Sequence, residues 1–149
     1  MKARDFRQGK LTTTSTVEGI AMKQAKITLN ERKNCPRAPH KGCWGSTAFG
    51  MLNFGGHNAA VTASGNRSYN IDVTLHSKDC YANKRSIQFQ VDMPFAVGPI
   101  EWKTGVYVHQ YPMMCSAGCI HLNLQDAIKF YEWVKANEPV RLVVKSDWN

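Results

Sequence analysis

The sequence predicts a mainly β domain, a β-rich α+β fold with one main helix after Cys119. Two segments alternate apolar and polar residues with period two, the pattern of half-buried antiparallel strands. Late in the chain the apolar spacing switches to that of a helix. Hydrophobic residues make up 43% of the 149 residues, a composition that supports one ordinary core.

In chain order, residues 1–20 read as a weakly ordered basic segment, with a Thr/Ser run at Thr12–Thr16. Residues 21–149 read as a single domain. Met22–Leu29, "MKQAKITL", alternates moderately and is a candidate strand. Residues 34–58 are rich in Gly, Pro and turn formers and read as loops with short strands. Tyr69–Leu75, "YNIDVTL", places Tyr69, Ile71, Val73 and Leu75 on one face. Ser86–Met93, "SIQFQVDM", does the same with Ile87, Phe89, Val91 and Met93. Gly105–Tyr111 is a further β-rich run. Ala127, Ile128, Tyr131 and Val134 then recur at helical spacing beside Phe130, and Trp133 with Phe130 reads as core. Asn123 is the expected N-cap, supported by Asp126 in the first turn. Asn137 in a left-handed conformation and Pro139 are expected to close the helix. Val140–Val144, "VRLVV", is the last strand expected.

Nineteen Lys and Arg against eleven Asp and Glu give a net charge of +8. Such a field favours acidic partners, whether nucleic acid, anionic lipid or an anionic wall polymer, and also aids solubility. No window approaches eighteen consecutive apolar residues, so no membrane span is expected. The N-terminal stretch lacks the apolar h-region of a secretory signal. Five cysteines leave one unpaired if the rest form disulfides. Cys35, Cys43, Cys80 and Cys115 are candidates for pairing or for small buried positions.

The chemistry concentrates in Val108–Leu122, "VHQYPMMCSAGCIHL". A thiol becomes an effective nucleophile when a base takes its proton and backbone N–H groups face the oxyanion that forms. His109 precedes Cys119 by ten positions, and a strand, a turn around Pro112 and a return would bring them face to face. Gly118 lets the backbone turn sharply just before the thiol. The helix starting near Asn123 would favour a thiolate. The same stretch also reads as H-x5-C-x3-C-x-H, from His109, Cys115, Cys119 and His121. Four such ligands suit tetrahedral zinc, although the spacing departs from the usual order. A structural or disulfide cysteine is the third reading.

"SAGCIHL" followed by "QDAIKFYEWVKANEPVRLVV" resembles the end of the L,D-transpeptidase catalytic domain. That family carries a His and then a [Ser/Thr]-His-Gly-Cys-hydrophobic-[Asn/Arg] motif, a helix with an Asp-Ala pair and a "PV-x-hydrophobic" strand. Ser116, Gly118, Cys119 and Ile120 match the motif, Asp126 and Ala127 the pair, and Pro139 and Val140 the strand. "VGPIEWKTGVYVH" sits where the family runs into its base histidine. The resemblance covers residues 97–144. Ala117 replaces the usual His, His121 stands where Asn or Arg is usual, and Gln110 follows the base. The short His–Cys spacing is similar to the type VI secretion effector branch of the family.

The resemblance implies a β-sandwich that acts on peptidoglycan stem peptides. The bond between a diamino acid and a terminal D-Ala would be cleaved through a Cys119 thioester. Another stem, a D-amino acid or water would then resolve it. Cys119 would be nucleophile and His109 general base and then acid. The N–H groups of Cys119 and Gly118 would face the oxyanion, and Ser116 would hold the turn or hydrogen-bond His109. His121, Tyr111 and Trp102 are candidate substrate contacts, while Tyr111 and Trp102 also read as core or cross-strand aromatics. Cys115 would pair with another cysteine or latch Cys119. No cofactor or metal is implied. Partners would be the stem peptides and, for an effector, a cognate immunity protein or secretion apparatus. The place of action would be the periplasm or wall, reached by specialised secretion or phage-linked release. Two other classes remain: a zinc-stabilised basic module that binds nucleic acid, lacking a basic helical stripe or RNA-binding signature, and an inactive wall-binding relative.

Overall fold

A computed structural model describes residues 14–17, 20–34, 46–88, 90–114 and 116–148, with side chains from residue 21 onward. Among the described residues, ten strands and one α-helix form the fold: β1 (Thr14–Val17), β2 (Ile20–Asn34), β3 (Ser46–Phe54), β4 (His57–Ser64), β5 (Asn70–Leu75), β6 (Cys80–Ser86), β7 (Val91–Glu101), β8 (Val106–Gln110), β9 (Ile120–Leu122), α1 (Leu124–Asn137) and β10 (Val140–Ser146). They join one sheet in the order β5-β10-β2-β3-β4-β9-β8-β7-β6, with β1 paired to β2. The expected sandwich is thus a single sheet curled on itself, since β5 near one end touches β7 near the other. Residues 1–13 of the expected weakly ordered segment lie outside the described residues.

Two strand pairs are parallel, β10 with β2 and β8 with β9. The first joins strands far apart in the chain, β10 being entered from α1 after β9. The second is joined by residues 111–119 alone, a shorter link than parallel neighbours normally need. That link is the stretch rich in chemistry.

The core lies inside the curl. Ile27, Leu29, Leu52, Val61, Val108, Ile120 and Leu142 are fully buried there. Helix α1 turns Ala127, Phe130 and Val134 inward. Phe130 meets Phe54 edge to face, ring centroids 5.2 Å apart, and Trp133 does so at 5.5 Å, a favoured aromatic geometry. Tyr69, Ile71 and Leu75 are buried and Val73 packs against them, as the alternation predicts.

Three local expectations are corrected. Ser86–Met93 is not a strand: β6 ends at Ser86, the chain turns, and β7 begins at Val91. Ile87 is 87% exposed, so period two there crosses a hairpin turn. β6 escaped notice because it is the edge of the sheet, and edge strands carry charge that blunts further pairing. Of residues 34–58, read as loops with short strands, 35–45 lie outside the described residues, and the described 46–58 belong to a long hairpin, β3 and the start of β4. Gly55 and Gly56, both at positive φ (53° and 83°), make its two-residue turn. Finally, Asn137 does not close α1 in a left-handed conformation. Its side-chain amide donates to the Trp133 carbonyl at 2.8 Å, and Glu138 leaves the helix extended (φ −56°, ψ 146°). The residue before a proline is pushed to that region. The N-cap is as expected, with Asn123 Oδ1 accepting from the Asp126 N–H at 2.9 Å.

Candidate active site

The parallel register pairs Val108 with Ile120, His109 with His121 and Gln110 with Leu122. Side chains alternate along a strand, so Tyr107, His109, Cys119 and His121 share one face. The backbone N–H of Tyr107 donates to Cys119 Sγ at 3.3 Å. Cys119, one residue before β9, therefore sits diagonally from His109 on the neighbouring strand. The face-to-face return around Pro112 is replaced by a side-by-side arrangement in which both strands run the same way.

This face opens into a cleft of about 580 Å3 lined by His109, Tyr111, Ser116, Gly118, Cys119 and His121. The β6–β7 hairpin from Lys84 to Met93 and the turn at Lys103–Gly105 complete its wall. Lys84, Arg85 and Lys103 give the wall a cationic character. Arg85 also pairs with Asp92 at 3.1 Å. Trp102 does not line the cleft. It sits on the β7–β8 turn and is 83% exposed.

His109 is buried, 3% exposed. Its Nδ1 lies 2.8 Å from the carbonyl of Gln110. A carbonyl only accepts, so Nδ1 carries the proton and Nε2 keeps its lone pair. Burial disfavours the imidazolium and pushes the pKa down to about 4, against a smaller upward pull from that carbonyl. His109 is a neutral ring at neutral pH.

Burial likewise pushes the Cys119 thiol up from 9.0, with the Tyr107 N–H pulling the other way. The expected help from the helix is outweighed. Strand β9 separates Cys119 from α1, and a dipole acts mainly within its first turn. The resting pair is thus neutral thiol and neutral imidazole.

Ser116 bonds the backbone on both sides of the 118–119 peptide. Ser116 Oγ donates to the Cys119 carbonyl at 2.6 Å and accepts from the Gly118 N–H at 3.0 Å. Ser116 therefore holds the turn, and the Gly118 N–H is committed to it. Gly118 has φ +152°, a region L-residues rarely enter. Farther along, the carbonyl of Met114 accepts from His121 Nδ1 at 2.9 Å and from Thr62 Oγ1 at 2.9 Å. These bonds pin the link between β8 and β9 onto β4. The rings of His109 and His121 lie 5.1 Å apart, and Tyr111 stands 4.8 Å from His121.

Cys80 and Cys119 are free thiols. Cys35, Cys43 and Cys115, with the pairing and latch expected of them, lie outside the described residues. So does one ligand of the zinc alternative. Among the described residues, no three His, Cys, Asp or Glu form a group that could hold a metal.

Sequence reasoning passed over Thr62, Tyr107 and Tyr69 as site residues. The Tyr69 hydroxyl donates to the Gly118 carbonyl at 2.8 Å. The available signal was a tyrosine on the apolar face of a strand, because a buried hydroxyl needs a partner.

A family model described as YkuD, L,D-transpeptidase catalytic domain, matches residues 37–142. No curated protein and no solved structure gives a significant match.

Proposed function

From the premise that the chain belongs to the YkuD family of L,D-transpeptidase catalytic domains, we propose that it is a cysteine acyltransferase acting on peptidoglycan stems. The observation that carries the reading is the shared face of β8 and β9, with Cys119 and His109 opening into one cleft. Cys119 Sγ attacks the carbonyl of the diamino acid as its proton passes to His109 Nε2. The tetrahedral oxyanion is met by the Cys119 N–H, the Gly118 N–H being engaged by Ser116. The imidazolium then gives its proton to the departing D-Ala amine, leaving a thioester on Cys119. An amine acceptor or water resolves the thioester and restores the thiol.

The neutral resting pair fits this order. Proton transfer accompanies attack, so an ion pair need not stand in the apo cleft. Lys84, Arg85 and Lys103 suit the carboxylates of a stem peptide, and His121 and Tyr111 are placed to touch it. The enzyme would act in the periplasm or wall, and no helix among the described residues is long and apolar enough to cross a membrane. The short His109–Cys119 spacing favours the antibacterial effector branch, with a cognate immunity protein as partner. On that reading, export to the periplasm harms a host cell and cytoplasmic expression does not. Equal harm from both would remove it.

Mass spectrometry after incubation with purified muropeptides tests the chemistry. A thioester adduct on Cys119, absent in Cys119→Ala and His109→Ala, is expected. A dimer, an exchanged stem or a tripeptide identifies the acceptor. Native protein that carries no adduct and yields none of these products would end the enzyme reading.

A further inference from the structure

The nucleophile's own peptide is anchored from the core by Tyr69. Its ring is 1% exposed and lies beneath the turn, outside the cleft. The hydroxyl accepts from the Ser64 N–H at 3.2 Å. Its one proton is thereby directed to the carbonyl of Gly118, 2.8 Å away. That carbonyl and the N–H of Cys119 belong to the same peptide unit. In a trans peptide they point in opposite directions. A carbonyl drawn toward the buried Tyr69 turns the Cys119 N–H away from the core, on the side where Gly118 and Cys119 line the cleft.

The ring is itself held. The Arg67 guanidinium lies 4.1 Å from its centroid. Arg67 is fixed by two hydrogen bonds to Glu101, at 2.9 and 3.1 Å. Glu101 also accepts from Thr104 Oγ1 at 2.6 Å, and the Arg67 carbonyl accepts from Trp148 Nε1 at 3.0 Å. The Tyr69 backbone exchanges bonds with Ser146, at 2.8 and 3.0 Å. The hydroxyl thus has two hydrogen-bond partners, Ser64 and Gly118, and separate contacts fix the ring and the backbone that carry it. Ser116 fixes the next carbonyl of the same turn, so the two anchors leave the Cys119 N–H little freedom.

We propose that Tyr69 is a positioning residue, steadied by Arg67, whose hydroxyl aims the Cys119 N–H at the oxyanion. The proposal rests on the acyl-transfer reading and deepens it. It predicts a selective defect: reactions of Cys119 that pass through a tetrahedral oxyanion need Tyr69, and reactions that do not are indifferent to it.

p-Nitrophenyl acetate and iodoacetamide separate the two cases without reference to the natural substrate. With the ester, a C–S bond forms, the thiol proton passes to His109 and p-nitrophenolate departs. With iodoacetamide, sulfur displaces iodide at a saturated carbon and no oxyanion forms. Both rates are read at Cys119 by peptide mass mapping, with Cys119→Ala as background. Tyr69→Phe is expected to slow acetylation by about tenfold or more, since loss of an oxyanion donor costs about 10²–10³. Alkylation should be unchanged. Equal loss in both reactions, or loss in neither, would overturn the proposal. If Tyr69→Phe does not fold, Arg67→Met decides: a smaller but equally selective loss upholds it, and an unchanged ratio of the two rates overturns it. Wild-type protein that is alkylated but never acetylated defeats both the proposal and acyl transfer. Acetylation without muropeptide turnover counts against the substrate alone.

Discussion

The Tyr107 N–H donates to Cys119 Sγ at 3.3 Å across the parallel β8–β9 pair. The bond fixes the sulfur against the β8 backbone, on the face that also carries His109. One N–H does not offset the removal of the thiolate from water, so burial wins and the thiol stays protonated at neutral pH.

Alkylation of Cys119 by iodoacetamide should therefore climb about tenfold per pH unit from pH 6 and still be rising at pH 9. The rate at the Cys119 peptide, followed by mass spectrometry, reports it. A plateau near pH 7 would mean a preformed thiolate and would contradict the burial argument. Acetylation by p-nitrophenyl acetate needs one proton shared by the pair. Its acid limb should lie near the His109 value of about 4 rather than near 6.5.

Stability has a matching dependence. The folded pKa of His109 is lowered, to about 4 from 6.5, so below pH 6.5 the unfolded chain takes up a proton that the native chain refuses. The contribution is fully present above pH 6.5 and is lost as pH falls through 4. It amounts to about 3 kcal/mol for this well-buried ring. Chemical denaturation at pH 7 and pH 4.5 should show that loss in wild type and a shallower slope in His109→Gln. Identical slopes in the two proteins would place the acid sensitivity elsewhere.

How much of this was legible in the sequence follows from physical range. The helix was readable because its cap, period and stop are all local: Asn123, the 127–130–134 spacing and Pro139. Tyr69–Leu75 was readable because one face is buried and the other wet. β6 was not, since an edge strand such as "CYANKRS" has little apolar face to read. The Phe54–His57 hairpin hid because its Gly-Gly turn resembles any loop. The candidate pair Cys119 and His109 was legible as a motif, but its geometry was not. A parallel link of only residues 111–119 depends on Thr62 from β4 and Tyr69 before β5, tens of residues away, and long-range hydrogen bonds leave no periodic trace.

Gly118 is testable as a backbone requirement. A Cβ there would meet only Val106 Cγ2, at an ordinary 3.5 Å. Crowding therefore does not forbid alanine, but φ +152° disfavours it by about 1–3 kcal/mol. The chain can relieve that strain by turning the peptide and surrendering the bonds to Ser116 and Tyr69. Gly118→Ala should lower the melting temperature modestly and acetylation at Cys119 severely. A variant with wild-type acetylation would show that the glycine conformation is incidental to the chemistry.

The two candidate substrate contacts that lie far apart in exposure should behave differently. His121 is buried on the cleft face of β9, its ring held by the Met114 carbonyl and flanked by His109 and Tyr111. Trp102 stands on a turn outside the cleft. His121→Gln should reduce kcat/KM on muropeptides by about tenfold, the worth of one polar contact in a partly closed site. Trp102→Ala should stay within about twofold, as an exposed side chain remote from the reacting atoms does. Steady-state kinetics on both variants checks the pair. A large loss in Trp102→Ala with little in His121→Gln would place the substrate over the β7–β8 turn instead of along β9.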